Sequence, residues 1–393
     1  MTKFNVKTFY IYKFMSECKP IYAFNLILFI NRGLSITDIA ILMALWSMFS
    51  IVSEIPFGIL ADRGNRRNLL VVGDVLHGLC FIIWFFSHSL FMFAIGYALW
   101  AIASALDSEE GLMYDNLKSD GCEESFTKVY AKARFYGNAG VVAAIASAGV
   151  IVNFVSIEVI TLISAAICFG NVLLALRIRE KNFYSEQLDK STVGFFKTFK
   201  EAGRFIKGSG VILVSILFLM LFASLGGYLE EFDALIINDF QLSYVWVSIL
   251  LAVRFAFVAL GSILAPKIQK MISSVKRIFL LNVLAFVLLT VFAIIWNQYA
   301  ILFFGLSFMV MTMTKILLVN IVQNKIKDEG RETVMSFIDT GENIVMILFS
   351  LIYGLLADIL TLQQVYIIIS VYGIVGSLGF YVISRKGFFA KEC

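Results

Sequence analysis

Apolar residues along this chain come in long blocks, not in the two-residue alternation of a half-buried strand or the single stripe of a soluble helix. Roughly twelve blocks, each about 20 residues, are long enough to cross a hydrocarbon core as helices. They run over residues 9–30, 38–60, 69–88, 90–113, 129–153, 157–178, 211–236, 244–266, 277–296, 298–322, 333–357 and 362–384. The polar punctuation between them is short except at 179–210. The pattern predicts an all-α polytopic membrane protein: a six-helix bundle at 1–178, a linker at 179–210 and a second six-helix bundle at 211–393.

Composition supports the membrane assignment. At 60% hydrophobic, 15% charged and a mean hydropathy of +0.87, 393 residues carry more apolar surface than a soluble domain could hide. The net charge of +4 does not point to nucleic acid, because of where the charges sit. Almost all Lys and Arg residues fall at the two ends and after even-numbered blocks, which puts both termini in the cytoplasm of a cell whose inner membrane holds the chain. Lys3, Lys7 and Lys13 precede a long block with no small-residue cleavage site, so an uncleaved first helix is expected. Cys18, Cys80, Cys122, Cys168 and Cys393 lack metal-ligand spacing; neither a disulfide framework, a metal site nor a cofactor is expected. The linker carries Phe195, Phe196, Phe199 and Phe205 among lysines and reads as an amphipathic helix on the membrane surface.

The most specific stretch is Pro56-Phe-Gly-Ile-Leu-Ala-Asp-Arg-Gly-Asn-Arg-Arg-Asn-Leu-Leu70, a charged turn between two apolar blocks. Gly58, Leu60, Ala61, Asp62, Arg63, Arg66 and Arg67 resemble the loop signature Gly-x-Leu-Ala-Asp-Arg-x-Gly-Arg-Arg of the major facilitator superfamily. Asn65 replaces the second glycine of that signature, and asparagine tolerates the positive φ expected there. The resemblance implies two pseudo-equivalent bundles around a crevice that opens alternately to either compartment. It further implies that Asp62 docks on the start of the eleventh helix near Thr333, and that Arg66 pairs with Asp115 to gate the cytoplasmic side. Gly58-Ile-Leu-Ala-Asp-Arg is echoed by Ser262-Ile-Leu-Ala-Pro-Lys, and Gly137-Asn138 by Gly341-Glu342, both 204 residues on, as a two-fold repeat requires.

Charges inside apolar blocks are the remaining candidates, because each is costly in lipid. The fourth block ends in Ala105-Leu-Asp-Ser-Glu-Glu-Gly-Leu-Met-Tyr-Asp115. A continuous helix there would place Asp107, Glu110 and Tyr114 on one face and turn Glu109 away. Glu17, Glu54, Glu230, Glu231, Asp233, Asp339 and Glu342 add carboxylates, while Lys19, Arg254 and Lys315 are the few counter-charges. The cavity expected from them is lined by Glu17, Glu54, Asp107, Glu110, Glu230, Arg254, Lys315, Asp339 and Glu342. Asp74 reads as a structural helix-end acid and His77 as a packing residue. Trp46, Tyr97, Trp100 and Tyr136 are candidates for an aromatic wall against an organic cation. Small residues such as Gly137 and Gly140 give the fifth block a close-packing face. Drug-proton antiporters of the superfamily carry a Gly-Pro motif in that helix, and many proton-coupled members an arginine in the fourth; neither is present.

No phosphate-binding loop and no nucleophile elbow occur, so neither ATP-driven transport nor an enzyme is expected. The reading is a monomeric secondary transporter that exports small cationic or amphiphilic molecules, of the antibiotic or multidrug type, in exchange for protons. Import or exchange of a nutrient on the same fold, and a sensor or assembly factor that moves nothing, are the alternatives.

Overall fold

The computed structural model describes residues 5–63, 65–180, 210–269, 271, 272, 274–326 and 328–385; the side chains of 54, 55, 58, 59, 61–63, 123, 127, 328–333 and 385 fall outside that description. The described residues are helical, without strands. Among the described residues eleven helices are long and apolar enough to cross a membrane. The twelfth crossing is the first block, which is broken into α1 (Val6–Glu17), a 3-10 turn (Pro20–Ala23) and α2 (Asn25–Asn31). Pro20 causes the break: it disfavours helical backbone at Lys19, which is extended at φ −113°, ψ 97°.

The chain divides into two compact units, residues 1–192 with 243–249, and residues 193–242 with 250–393. The first contains α3 (Ile36–Arg63), α4 (Arg66–Phe86), α5 (Leu90–Ala105), α6 (Glu109–Ser119), α7 (Phe126–Ile151) and α8 (Ile157–Arg177) after α1 and α2. Here α1 packs on α7 and α8, and α4 packs on α5 and α8. Gly140 on α7 faces the backbone of α1, where an added Cβ would run into the Phe14 carbonyl. The small-residue face thus brings α7 against the polar side of α1, with Gly137 touching Lys13 and Glu17.

The second unit contains α9 (Gly210–Phe218), a π turn (Leu219–Ala223), α10 (Leu225–Glu230) and α11 (Asp233–Asp239). After these come α13 (Val275–Ile295), α14 (Ile301–Lys325), α15 (Asp328–Ile359) and α16 (Leu362–Arg385), preceded by α12 (Tyr244–Gln269), which begins in the first unit's segment. Its core is the packing of α13 on α14 and α16. The seventh block passes through the π turn and breaks at Glu231–Phe232.

Two local expectations are corrected. Asn65 sits at φ −77°, not at positive φ, because its side chain caps α4 by accepting from Asn68 N at 2.9 Å. The fourth block is not one helix: it stops at Ala105, and a new helix starts at Glu109. Residues 181–209 of the amphipathic linker expected at 179–210, the Asp62 contact near Thr333 and the side chains of Glu54, Gly58, Asp62 and Arg63 lie outside the described residues.

Candidate functional site

The break between α5 and α6 builds the main site. Asp107, left out of both helices, accepts from Glu109 N at 3.1 Å, as a residue flanking a helix start can. Glu109, in the first turn of α6, is turned inward and only 8% exposed. Its Oε2 lies 2.7 Å from Lys13 Nζ, which also reaches Glu17 Oε1 at 3.2 Å. The face drawn for a continuous helix is thus corrected. Asp107 is accessible as expected, but Glu109 joins it, while Glu110 is exposed and accepts from the Tyr130 hydroxyl at 2.7 Å.

A cavity of about 200 Å³ opens beside this cluster. Glu17, Asp74, Asp107 and Glu109 contribute carboxylates to its wall, and Lys13 and Lys19 contribute ammonium groups. Asp74 is a buried wall residue, not merely a helix-end acid, and both its oxygens accept from Asn171 Nδ2, at 3.2 and 3.1 Å. His77 also lines the cavity; its Nε2 is buried with no hydrogen-bond partner, and its ring meets Trp100 edge-on at 5.7 Å. Tyr22 stacks on Trp100 at 5.5 Å, so of the four aromatic candidates Trp100 is the one on this wall. Tyr97 stacks behind Trp100, and Tyr136 stacks on Tyr10.

A second cavity, of about 370 Å³, lies next to the first and is bounded by Phe9, Glu110, Tyr130 and Arg134. Lys13, Ser104, Asp107 and Glu109 border both. The Lys13–Glu109 pair is therefore part of the partition between two adjoining spaces within one unit.

The charged turn forms a separate cluster. Arg66 Nη1 donates to Asp115 Oδ2 at 3.0 Å, the contact implied by the family resemblance. Sequence reading missed Glu180, whose two oxygens accept from Arg66 N at 3.1 Å and Arg67 N at 2.7 Å. That carboxylate occupies the start of α4, where unpaired N–H groups favour an anion. Burial raises the Glu180 pKa, and the two N–H bonds and neighbouring guanidinium groups oppose the rise.

Candidates of the second unit form two clusters of their own. Arg254, 1% exposed, has Nη2 3.1 Å from Glu230 Oε1 and Nε 2.5 Å from Asp233 Oδ2. Asp233 is also 1% exposed, whereas Glu231 is exposed. Lys315 Nζ reaches Glu342 Oε2 at 2.8 Å, and Ser224 donates to the other oxygen of Glu342 at 2.6 Å. Asp339 is exposed and outside that pair. Among the described residues no group of three or more His, Cys, Asp or Glu side chains could hold a metal ion.

Known proteins resemble this chain in both sequence and fold. Residues 19–350 match the Major Facilitator Superfamily. The uncharacterized MFS-type transporter YfkF of Bacillus subtilis (strain 168) is 38% identical over 64 residues, a match covering 16% of this chain and 15% of that protein. A crystal structure of a mutant of the nucleoside transporter NupG superposes with a TM-score of 0.82 at 14% identity, over 96% of this chain and 99% of that one. A bacterial homolog of the human lysosomal transporter Spinster, inward-facing and unoccupied, gives 0.72 at 14% identity, over 98% and 97%. At such identities the structural likeness concerns the fold. The sequence match spans most of the chain, and the protein is a membrane transporter that belongs to the major facilitator superfamily.

Proposed function

We propose that the protein is a proton-coupled secondary transporter of a small, hydrophilic organic cation, working as a monomer by alternating access in the cytoplasmic membrane with both termini in the cytoplasm. The observation that carries this reading is the charge balance of the smaller cavity, where four carboxylates meet two ammonium groups. Such a wall holds either protons or a cationic ligand. Asp107 and Glu17 are the exchanging pair in this reading, because both are accessible and Asp107 is in no ion pair with a described residue. One proton exchanged for one cation at a shared carboxylate is antiport, and an inward proton gradient then drives the cation outward.

The polar lining narrows the expected cargo from amphiphiles to a hydrophilic solute. Around the turn, Arg66 and Asp115 act as a latch, with Gly58, Asp62, Arg63 and Arg67 completing it. In the second unit Arg254 with Glu230 is a structural pair, while Lys315 and Glu342, beside Asp339, are the pair placed to respond to protons.

Counterflow of a labelled organic cation from proteoliposomes under an imposed pH gradient tests the reading. Asp107→Asn is expected to abolish proton-driven export, whereas Lys128→Gln, at an exposed site on α7, leaves it intact. Equal export by the Asp107→Asn protein would overturn the assignment, and accumulation in the opposite direction would favour uptake.

A further inference from the structure

Lys19 is the residue this reading leaves without a task. It is 4% exposed, lines the smaller cavity, and is in no ion pair with any described residue. Its ammonium lies 5.7 Å from the centre of the Tyr22 ring. A buried lysine is ordinarily paired, because an isolated charge away from water is expensive. The break at Pro20 holds Lys19 in place, since its extended backbone ends α1 and starts the 3-10 turn. Beside it His77 Nε2, also on the cavity wall, has no partner. Lys19 thus has the Tyr22 side chain beside it but no carboxylate in an ion pair with it among the described residues, and His77 Nε2 has no hydrogen-bond partner.

The other side of the balance lies a short way along α1. Lys13 is shared between Glu17 and Glu109, with Asp107 adjoining, so three carboxylates surround one ammonium. Lys13 lies four residues before the end of α1 at Glu17, about 6 Å of helix rise, and Lys19 follows two residues further on. One cavity thus offers a cation without a carboxylate counter-ion and, along the same helix, an excess of carboxylate. Resting on the transport reading above, we propose that the cavity binds a small zwitterion, its carboxylate paired with Lys19 and its ammonium held by Asp107 and Glu17. The stacked Tyr22 and Trp100 rings wall the space against which its carbon skeleton lies.

Four probes of one carbon count separate this from simple cation binding: leucine and its isomer 6-aminohexanoate as zwitterions, hexylamine and hexanoate as single charges. Binding is read by calorimetry on the purified full-length protein. At least one zwitterion is expected to bind about tenfold or more tighter than either single-charge probe, a difference of about 1.4 kcal/mol. Lys19→Met is expected to remove that preference while hexylamine binds at least as tightly as before, which also shows that the variant is folded; Lys19→Arg is expected to retain it. Hexylamine binding as tightly as both zwitterions would overturn the zwitterion site and leave the cation-transport reading standing. A zwitterion preference that survives Lys19→Met would overturn the role of Lys19. Failure of all four probes to bind at millimolar concentration would overturn both readings.

Discussion

Lys13 Nζ lies 2.7 Å from Glu109 Oε2 and 3.2 Å from Glu17 Oε1, so one ammonium ties α1 to the first turn of α6 on the border of two cavities. Lys13→Met and Glu109→Gln are each expected to destabilise the protein, the first by leaving the buried Glu109 without its ammonium and the second by leaving Lys13 with Glu17 alone. The double variant should cost less than the sum of the two, with a coupling of about 0.5–3 kcal/mol. Chemical unfolding of the four proteins in detergent measures this, and strict additivity would show that the contact is energetically idle.

Arg254 and Asp233 are both buried, and removing Asp233 leaves Arg254 with only the partly exposed Glu230 as counter-charge. Asp233→Asn is expected to cost about 3–5 kcal/mol. Glu230→Gln should cost less, because the Glu230 side chain keeps 34% of its surface accessible. Comparing the two unfolding midpoints decides the order; a larger loss at Glu230 would contradict it.

Glu180 reaches the start of α4 from beyond α8, and its removal frees two backbone N–H groups. Glu180→Ala is expected to cost about 0.5–2 kcal/mol, the range of a lost helix cap. Its pKa is raised in the folded state, so folding favours its protonated form. The stability from this group is present in acid and is lost as pH rises through the folded pKa. Glu180→Gln should therefore flatten the dependence of unfolding free energy on pH above the ordinary glutamate range; an unchanged slope would refute the linkage.

Gly140 meets the Phe14 carbonyl, whereas Gly170 has open space around it. Gly140→Val should force α7 away from α1, at a cost of about 1–3 kcal/mol typical of overpacking. It should also weaken ligand binding, since α1 carries Lys13, Glu17 and Lys19. Gly170→Ala is the neutral control, and equal melting temperatures for both variants would contradict the close approach.

The membrane character, the helix count and the charged turn were legible because each depends on local composition or a contiguous motif. The identities of Asp107 and Glu17 as cavity residues were legible too, being acids stranded in apolar blocks. Glu109 was not, because its orientation follows from a break at Leu106–Ser108 that no proline or glycine announces. Lys13 reads in sequence as a flanking positive charge, and only its spacing of four from Glu17 hints at a helical pair. Glu180 acts on residues more than a hundred positions earlier, and Asp74 finds Asn171 across a similar separation. No periodicity reports such partners.

The interrupted first crossing also bears on how the chain is made. Lys13, Glu17 and Lys19 all lie in that crossing, and a lysine at the centre of a membrane helix raises its apparent insertion free energy by about 2.5–3.5 kcal/mol. Glu17 follows one turn later, but Glu109, the nearer partner of Lys13, arrives only when α6 emerges from the ribosome, roughly a hundred residues later. The first crossing therefore reaches its full set of charge partners only after α6 has been made.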